Sequence, residues 1–160
     1  MKKYKMNLPN VLIVIFIAYL IVVMFIYFYQ RKLLYHPSEN NYLDETNLNH
    51  KIEKIYIQSD TELISWYYNN NKSYKTILFF HGNAGRLDNR VYKLNELAKL
   101  NINYLIVAYR GFSGNQGKPS EEGIYKDSDA AKKWLNENGV DDKNIILYGE
   151  SLGTAVAVDL

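Results

Sequence analysis

From Val11 to Tyr29 the chain runs for 19 residues without a charge, a side-chain amide, a glycine or a proline. No other feature narrows the possible folds as much. At about 1.5 Å per residue a helix of this length approaches the ~30 Å hydrocarbon core of a bilayer. A helix apolar on every side has no place on the surface of a small soluble domain. Tyr27 and Tyr29 set polar-tipped rings at one end, where a lipid interface suits them. The expectation is one transmembrane helix, with residues 11–29 contacting the lipid bilayer. A cleaved signal peptide shares the basic start and apolar run. However, the exit reads Tyr27-Phe28-Tyr29-Gln30-Arg31-Lys32, bulky throughout, which favours an uncleaved anchor. Three lysines precede the helix and two basic residues follow it, so the positive-inside rule gives a cytoplasmic N-terminus and a domain outside or in the periplasm.

Charge is distributed around that helix. Residues 1–37 hold five basic residues and no acid, whereas the remainder holds 14 basic and 17 acidic residues. The basic excess sits beside the apolar run, and the soluble part is mildly acidic, which argues against nucleic acid as a partner. Cysteine is absent, and with it disulfides, zinc ribbons and thiol nucleophiles. The organisation read from this is a basic N-terminus (residues 1–10), the anchor (11–29), a juxtamembrane linker (30–51) and a soluble domain (52–160).

The soluble part opens with two strand-like runs, Ile52 to Ile57 and Leu63 to Tyr68, joined by the turn residues Ser59-Asp60-Thr61. From Lys75 short continuous apolar runs alternate with helical patterns. Thr76 to Phe80, Tyr104 to Ala108 and Ile145 to Tyr148 read as strands buried on both faces. Leu87, Val91, Leu94, Leu97 and Ala98 fall at helical spacing, as do Ile124, Ala131, Trp134 and Leu135. Ser120 suits the N-cap of the second helix and Gly139 its C-terminal stop. The pattern predicts an α/β fold, a mostly parallel sheet with helices on both faces.

Gly149-Glu150-Ser151-Leu152-Gly153 is a G-x-S-x-G sequence that follows one of these strands and opens an apolar helix. In that context a tight turn lifts the serine oxygen out of the sheet, and the flanking glycines let strand and helix cross closely. Ser151 is then the candidate nucleophile. Its oxyanion donors would be the backbone N–H of Leu152 and one from the loop His81-Gly82-Asn83-Ala84-Gly85 after the first parallel strand, at Asn83 or within one residue of it. His81 is expected to bond backbone beneath that loop rather than to act as a base. Asp127 and Asp129 are expected on a solvated helix face.

These residues together resemble the α/β-hydrolase superfamily, in particular its membrane-anchored α/β-hydrolase-domain proteins, related to the serine aminopeptidase and dienelactone hydrolase groups. The resemblance runs from the anchor and Leu33-Leu34-Tyr35-His36-Pro37-Ser38, through His81 to Gly85 and Tyr109-Arg110-Gly111-Phe112-Ser113-Gly114-Asn115-Gln116-Gly117-Lys118-Pro119-Ser120-Glu121, to the G-x-S-x-G pentapeptide. It implies hydrolysis of an ester, thioester or amide in a small-molecule, lipid or peptide substrate, through an acyl-enzyme on Ser151. Asp60-Thr61 stands where the family usually has an Asp-Gly turn. The triad is the larger departure. The resemblance puts the acid and then the histidine after the serine, yet nine residues follow Ser151 and none is a histidine. A serine without a base is a poor nucleophile. The chain is therefore expected to be C-terminally incomplete, with the acid and histidine beyond residue 160 and the strand ending at Tyr148 left as an exposed apolar edge. A truncated, inactive remnant with at most a binding role is the alternative. A ligand receptor on the same fold is disfavoured by the intact Ser151. No metal-ligand spacing and no phosphate-cradling loop appears, so no metal and no cofactor is expected.

Overall fold

A computed structural model describes residues 7–38, 45 and 47–160 in two compact units that meet in sequence at Leu34 and Tyr35. The first is helix α1, Leu8–Leu34, 27 residues with none buried. Its most apolar 18-residue window has a mean hydropathy of 3.1, so by length and composition it suffices to cross a membrane. Arg31 and Lys32 occupy its last turn, where cations favour the negative end of the helix dipole. The helix thus continues five residues into the stretch read above as linker. Residues 39–44 and 46 of that stretch lie outside the described residues.

The second unit is built on a five-stranded sheet. Strand β1 is a two-residue piece, His36–Pro37. Strands β2 (Glu53–Gln58) and β3 (Glu62–Tyr68) form the expected hairpin, and the Ser59 N–H donates to the Thr61 carbonyl across its turn. Next come β4 (Thr76–Phe80), a two-residue β5 (Ala84–Gly85), α2 (Val91–Leu97) and β6 (Asn103–Val107). Helix α3 (Glu121–Glu137), β7 (Ile145–Gly149) and α4 (Leu152–Asp159) complete the order. The sheet order is β2-β3-β6-β4-β7, antiparallel through β2, β3 and β6 and parallel through β6, β4 and β7. A separate parallel pair joins β1 to β5.

Every residue of β4 and β6 is buried, as their unbroken apolar runs require. Alternate side chains feed two cores. Leu78, Phe80, Leu105 and Val107 pack with Ile124, Ala131 and Leu135 of α3 and Val156 of α4. Ile77, Phe79, Tyr104 and Ile106 pack with Leu87, Val91 and Leu94 on the other side. Helices therefore cover both faces, which makes this an α/β fold. Ser120 caps α3, its side chain accepting from the Gly123 N–H. Gly139 ends the helix at φ +84, with the Gly139 and Val140 N–H groups returning to the Asn136 and Leu135 carbonyls. Among the described residues β7 pairs only with β4, and Ile146 and Leu147 stay 41% and 38% exposed.

One expectation is corrected by α3. Asp129 is exposed as predicted, but Asp127 is fully buried. Its carboxylate accepts the Arg110 main-chain N–H at 2.8 Å and a guanidinium N–H at 2.7 Å. A charge can be buried when such a partner supplies both countercharge and hydrogen bonds. The Arg110 loop enforces that here, tying the exit of β6 to α3.

Candidate active site

The parallel strands β4 and β7 end side by side, Phe80 opposite Gly149. The chain leaving β7 turns sharply into α4 through Glu150 and Ser151. Glu150 N–H still donates to the Phe80 carbonyl at 3.0 Å, and Gly153 N–H closes the turn on the Glu150 carbonyl at 2.9 Å. Ser151 sits at φ +53, ψ −115, a conformation that an L-residue adopts only under strain. Such strain is held by surrounding packing, and two glycines permit the packing. A Cβ on Gly149 would lie 2.2 Å from the Gly153 carbonyl oxygen, and one on Gly153 would lie 2.1 Å from the Phe80 oxygen. No other residue lets α4 lie this close to β4 and β7. Ser151 is left exposed at the head of α4. Leu152, first residue of that helix, has no helical acceptor upstream for its N–H.

The loop after β4 passes next to this turn. A Cβ on Gly82 would stand 3.5 Å from the Ser151 Cβ, so Gly82 and Ser151 are neighbours. His81 lies beneath the loop, fully buried against the rings of Tyr109 and Phe112. Its Nδ1 is 2.7 Å from the Gly82 carbonyl oxygen, an acceptor only, so Nδ1 carries the proton. Burial lowers the His81 pKa to about 4, which leaves the ring neutral. In a trans peptide the carbonyl and the following N–H point in opposite directions. With the Gly82 carbonyl drawn down onto His81, the Asn83 N–H points away from it. Tyr109, whose phenol burial keeps protonated, donates its hydroxyl to the His81 carbonyl at 3.0 Å.

A cluster of charges flanks the turn. Glu150 accepts from Lys93 at 2.9 Å and stands 3.5 Å from the Arg90 guanidinium, and Arg90 also donates to the Ala84 carbonyl at 2.9 Å. The hydrogen bond to Glu150 raises the Lys93 pKa. Glu150, Ser151 and Leu152 thus come together with Gly82 and Asn83, while His50 lies elsewhere. His50 Nε2 bonds the Tyr104 hydroxyl at 2.6 Å, near the start of β6 and so at the other end of the parallel strands. His36 lies in β1. Arg90, Lys93 and Tyr109 escape sequence reading, because Glu150 and His81, which tie them to the site, lie 28 or more residues away. Only the motif containing Tyr109 hints at any of them.

Residues 14–159 match the model of the Chlamydia CHLPS protein family (DUF818). The uncharacterized protein Rv2307c of Mycobacterium tuberculosis is 37% identical over 144 residues, covering 87% of this chain and 51% of that protein. The alpha/beta hydrolase domain-containing protein WAV2 of Arabidopsis thaliana is 34% identical, covering 82% of this chain and 46% of that protein. The chain thus spans about half the length of the curated relatives it matches. Among solved structures, the Pyrococcus furiosus esterase Pf2001 superposes with a TM-score of 0.64 at 24% identity, over 78% of this chain and 51% of that one. The superposition on the esterase accords with the sheet and the helix layers described above. The chain belongs to the Chlamydia CHLPS protein family (DUF818), and its globular unit has the α/β-hydrolase fold.

Proposed function

We propose that this chain carries the nucleophile and oxyanion site of a membrane-anchored serine hydrolase that cleaves an ester, thioester or amide. Ser151 attacks the substrate carbonyl, and the Asn83 and Leu152 N–H groups bind the oxyanion as it develops. Water then hydrolyses the acyl-enzyme. A histidine base and its orienting acid come from chain beyond residue 160, since a serine hydroxyl needs such a base at neutral pH. Preorganised N–H donors of this kind account for about 10²–10³-fold in rate each where one has been removed. The N-terminal helix tethers the domain to the bilayer.

The observation that carries this reading is the strained turn at Ser151, φ +53, packed against Gly82 at the strand ends. Strained residues of this kind cluster at active sites. The hydrolase-fold relatives and the esterase neighbour give further support. The test is labelling of the full-length protein, in membranes, by a fluorophosphonate probe. Wild type should label and pellet with carbonate-washed membranes, and Ser151→Ala should not label. An unlabelled wild type, or a labelled Ser151→Ala, refutes the nucleophile assignment.

A further inference from the structure

The segment Tyr35-His36-Pro37, one peptide bond past the last residue of α1, takes no part in the chemistry above. Yet Tyr35 is buried in the core and His36–Pro37 pairs with Ala84–Gly85. The His36 N–H donates to the Asn83 carbonyl at 2.8 Å. The next carbonyl along, Ala84, accepts from the Arg90 guanidinium at 2.9 Å. The preceding one, Gly82, accepts from His81 at 2.7 Å. Three successive carbonyls of the loop therefore each have a separate donor, and the donors come from three different parts of the chain. Arg90 also reaches Glu150, the residue before Ser151, at 3.5 Å. One guanidinium thus touches both the loop and the serine turn.

A loop with glycines at 82 and 85, the latter at φ +82, gains no stiffness from its own backbone. An N–H donor on it stabilises an oxyanion only if it is held in place beforehand.

We propose that the main chain of His36 and the guanidinium of Arg90 are positioning elements that fix the peptide planes following Asn83 and so keep its N–H aimed at the oxyanion. This rests on the reading of Ser151 as nucleophile. Neither group touches substrate. The juxtamembrane strand is thereby part of the catalytic framework rather than a spacer.

The test uses the full-length protein with a soluble p-nitrophenyl ester, and compares His36→Pro, which removes the N–H, with His36→Ala, which keeps it. A misplacement of about 1 Å costs about 100-fold in rate. His36→Pro is therefore expected to lower kcat and the fluorophosphonate labelling rate by about 10- to 100-fold, with KM within about threefold of wild type. His36→Ala should be at least about fivefold faster than His36→Pro on the same scale. Arg90→Ala should show the same kcat-weighted loss, and Arg90→Lys, which cannot reach both partners at once, a smaller one. Inhibition by a trifluoromethyl ketone, which needs the oxyanion site, should weaken in parallel with kcat.

The proposal is overturned if His36→Pro and Arg90→Ala keep the wild-type kcat, or if His36→Ala falls as far as His36→Pro. It is also overturned if the losses appear in KM alone. Should His36→Pro lose cooperative melting, Arg90→Ala against Arg90→Lys decides. Ser151→Ala separates the two levels. An active Ser151→Ala sinks the nucleophile reading, whereas an inactive Ser151→Ala beside a fully active His36→Pro sinks only the positioning role.

Discussion

His81 should make the fold acid-sensitive by an amount that can be worked out. In the native state the ring is fully buried and neutral, with a pKa lowered to about 4 from 6.5. Burial is the main cause, and the nearby Arg90 charge adds to it. Above pH 6.5 neither folded nor unfolded chain binds a proton at this site, so it contributes no pH dependence. Between pH 6.5 and 4 the unfolded chain takes a proton that the native ring refuses, and stability falls as pH falls. Below pH 4 both states are protonated and the loss levels off. At about 1.4 kcal/mol per pH unit the full loss is about 3 kcal/mol, of which roughly 2 kcal/mol is already gone at pH 5. Against a typical stability of about 5–15 kcal/mol this is measurable.

The comparison variant is His81→Asn, whose side-chain N–H sits at the same branch as Nδ1 and can still serve the Gly82 carbonyl, but does not titrate. Urea unfolding followed by tryptophan fluorescence, with Trp66 buried as the reporter, should be run at pH 7, 6, 5 and 4.5 on both proteins. Carboxylates contribute to both curves equally, so the difference isolates the imidazole. Wild type should lose about 2 kcal/mol more than the variant between pH 7 and pH 5. Parallel curves would refute the argument, because they would mean that the native ring accepts a proton as readily as the unfolded one.

Two further outcomes follow from the packing. Gly153→Ala would set a Cβ 2.1 Å from the Phe80 oxygen and force α4 away from β4. It should cost about 1–3 kcal/mol by overpacking and abolish probe labelling, and a variant that melts and labels like wild type would show that the crossing has slack. Asp127→Asn keeps the shape but leaves the Arg110 guanidinium without its buried countercharge. It should destabilise by about 3 kcal/mol in the same urea assay, and a loss below about 1 kcal/mol would mean that Asp60 at 3.3 Å suffices in its place.

What could be read from the chain alone follows the physics of each signal. The strands at Thr76, Tyr104 and Ile145 were legible because burial on both faces demands uninterrupted apolar residues. Ser120 and Gly139 were legible because capping is local chemistry. The elbow at Ser151 was legible because its glycines are required by a contact between adjacent elements. Asp127 was misread because a carboxylate's environment depends on its partner, and Arg110 lies 17 residues away, beyond the range of helical periodicity. The pairing of His36–Pro37 with Ala84–Gly85 left no trace, since a two-residue ladder has no pattern. The salt links from Arg90 and Lys93 to Glu150 span some 60 residues and have the composition of any surface charge.

The positive φ of Ser151 has a consequence for how such a site ages. A conformation of this kind costs about 1–3 kcal/mol for a residue with a side chain, and almost nothing for glycine. Replacing the serine by glycine would therefore relax the turn while removing the hydroxyl. At this one position selection for foldability and selection for chemistry point in opposite directions. On the proposed reading of Ser151 as nucleophile, a lineage released from the second would drift downhill in folding free energy by discarding it. The chain holds a serine there, at φ +53, against the preference of its backbone.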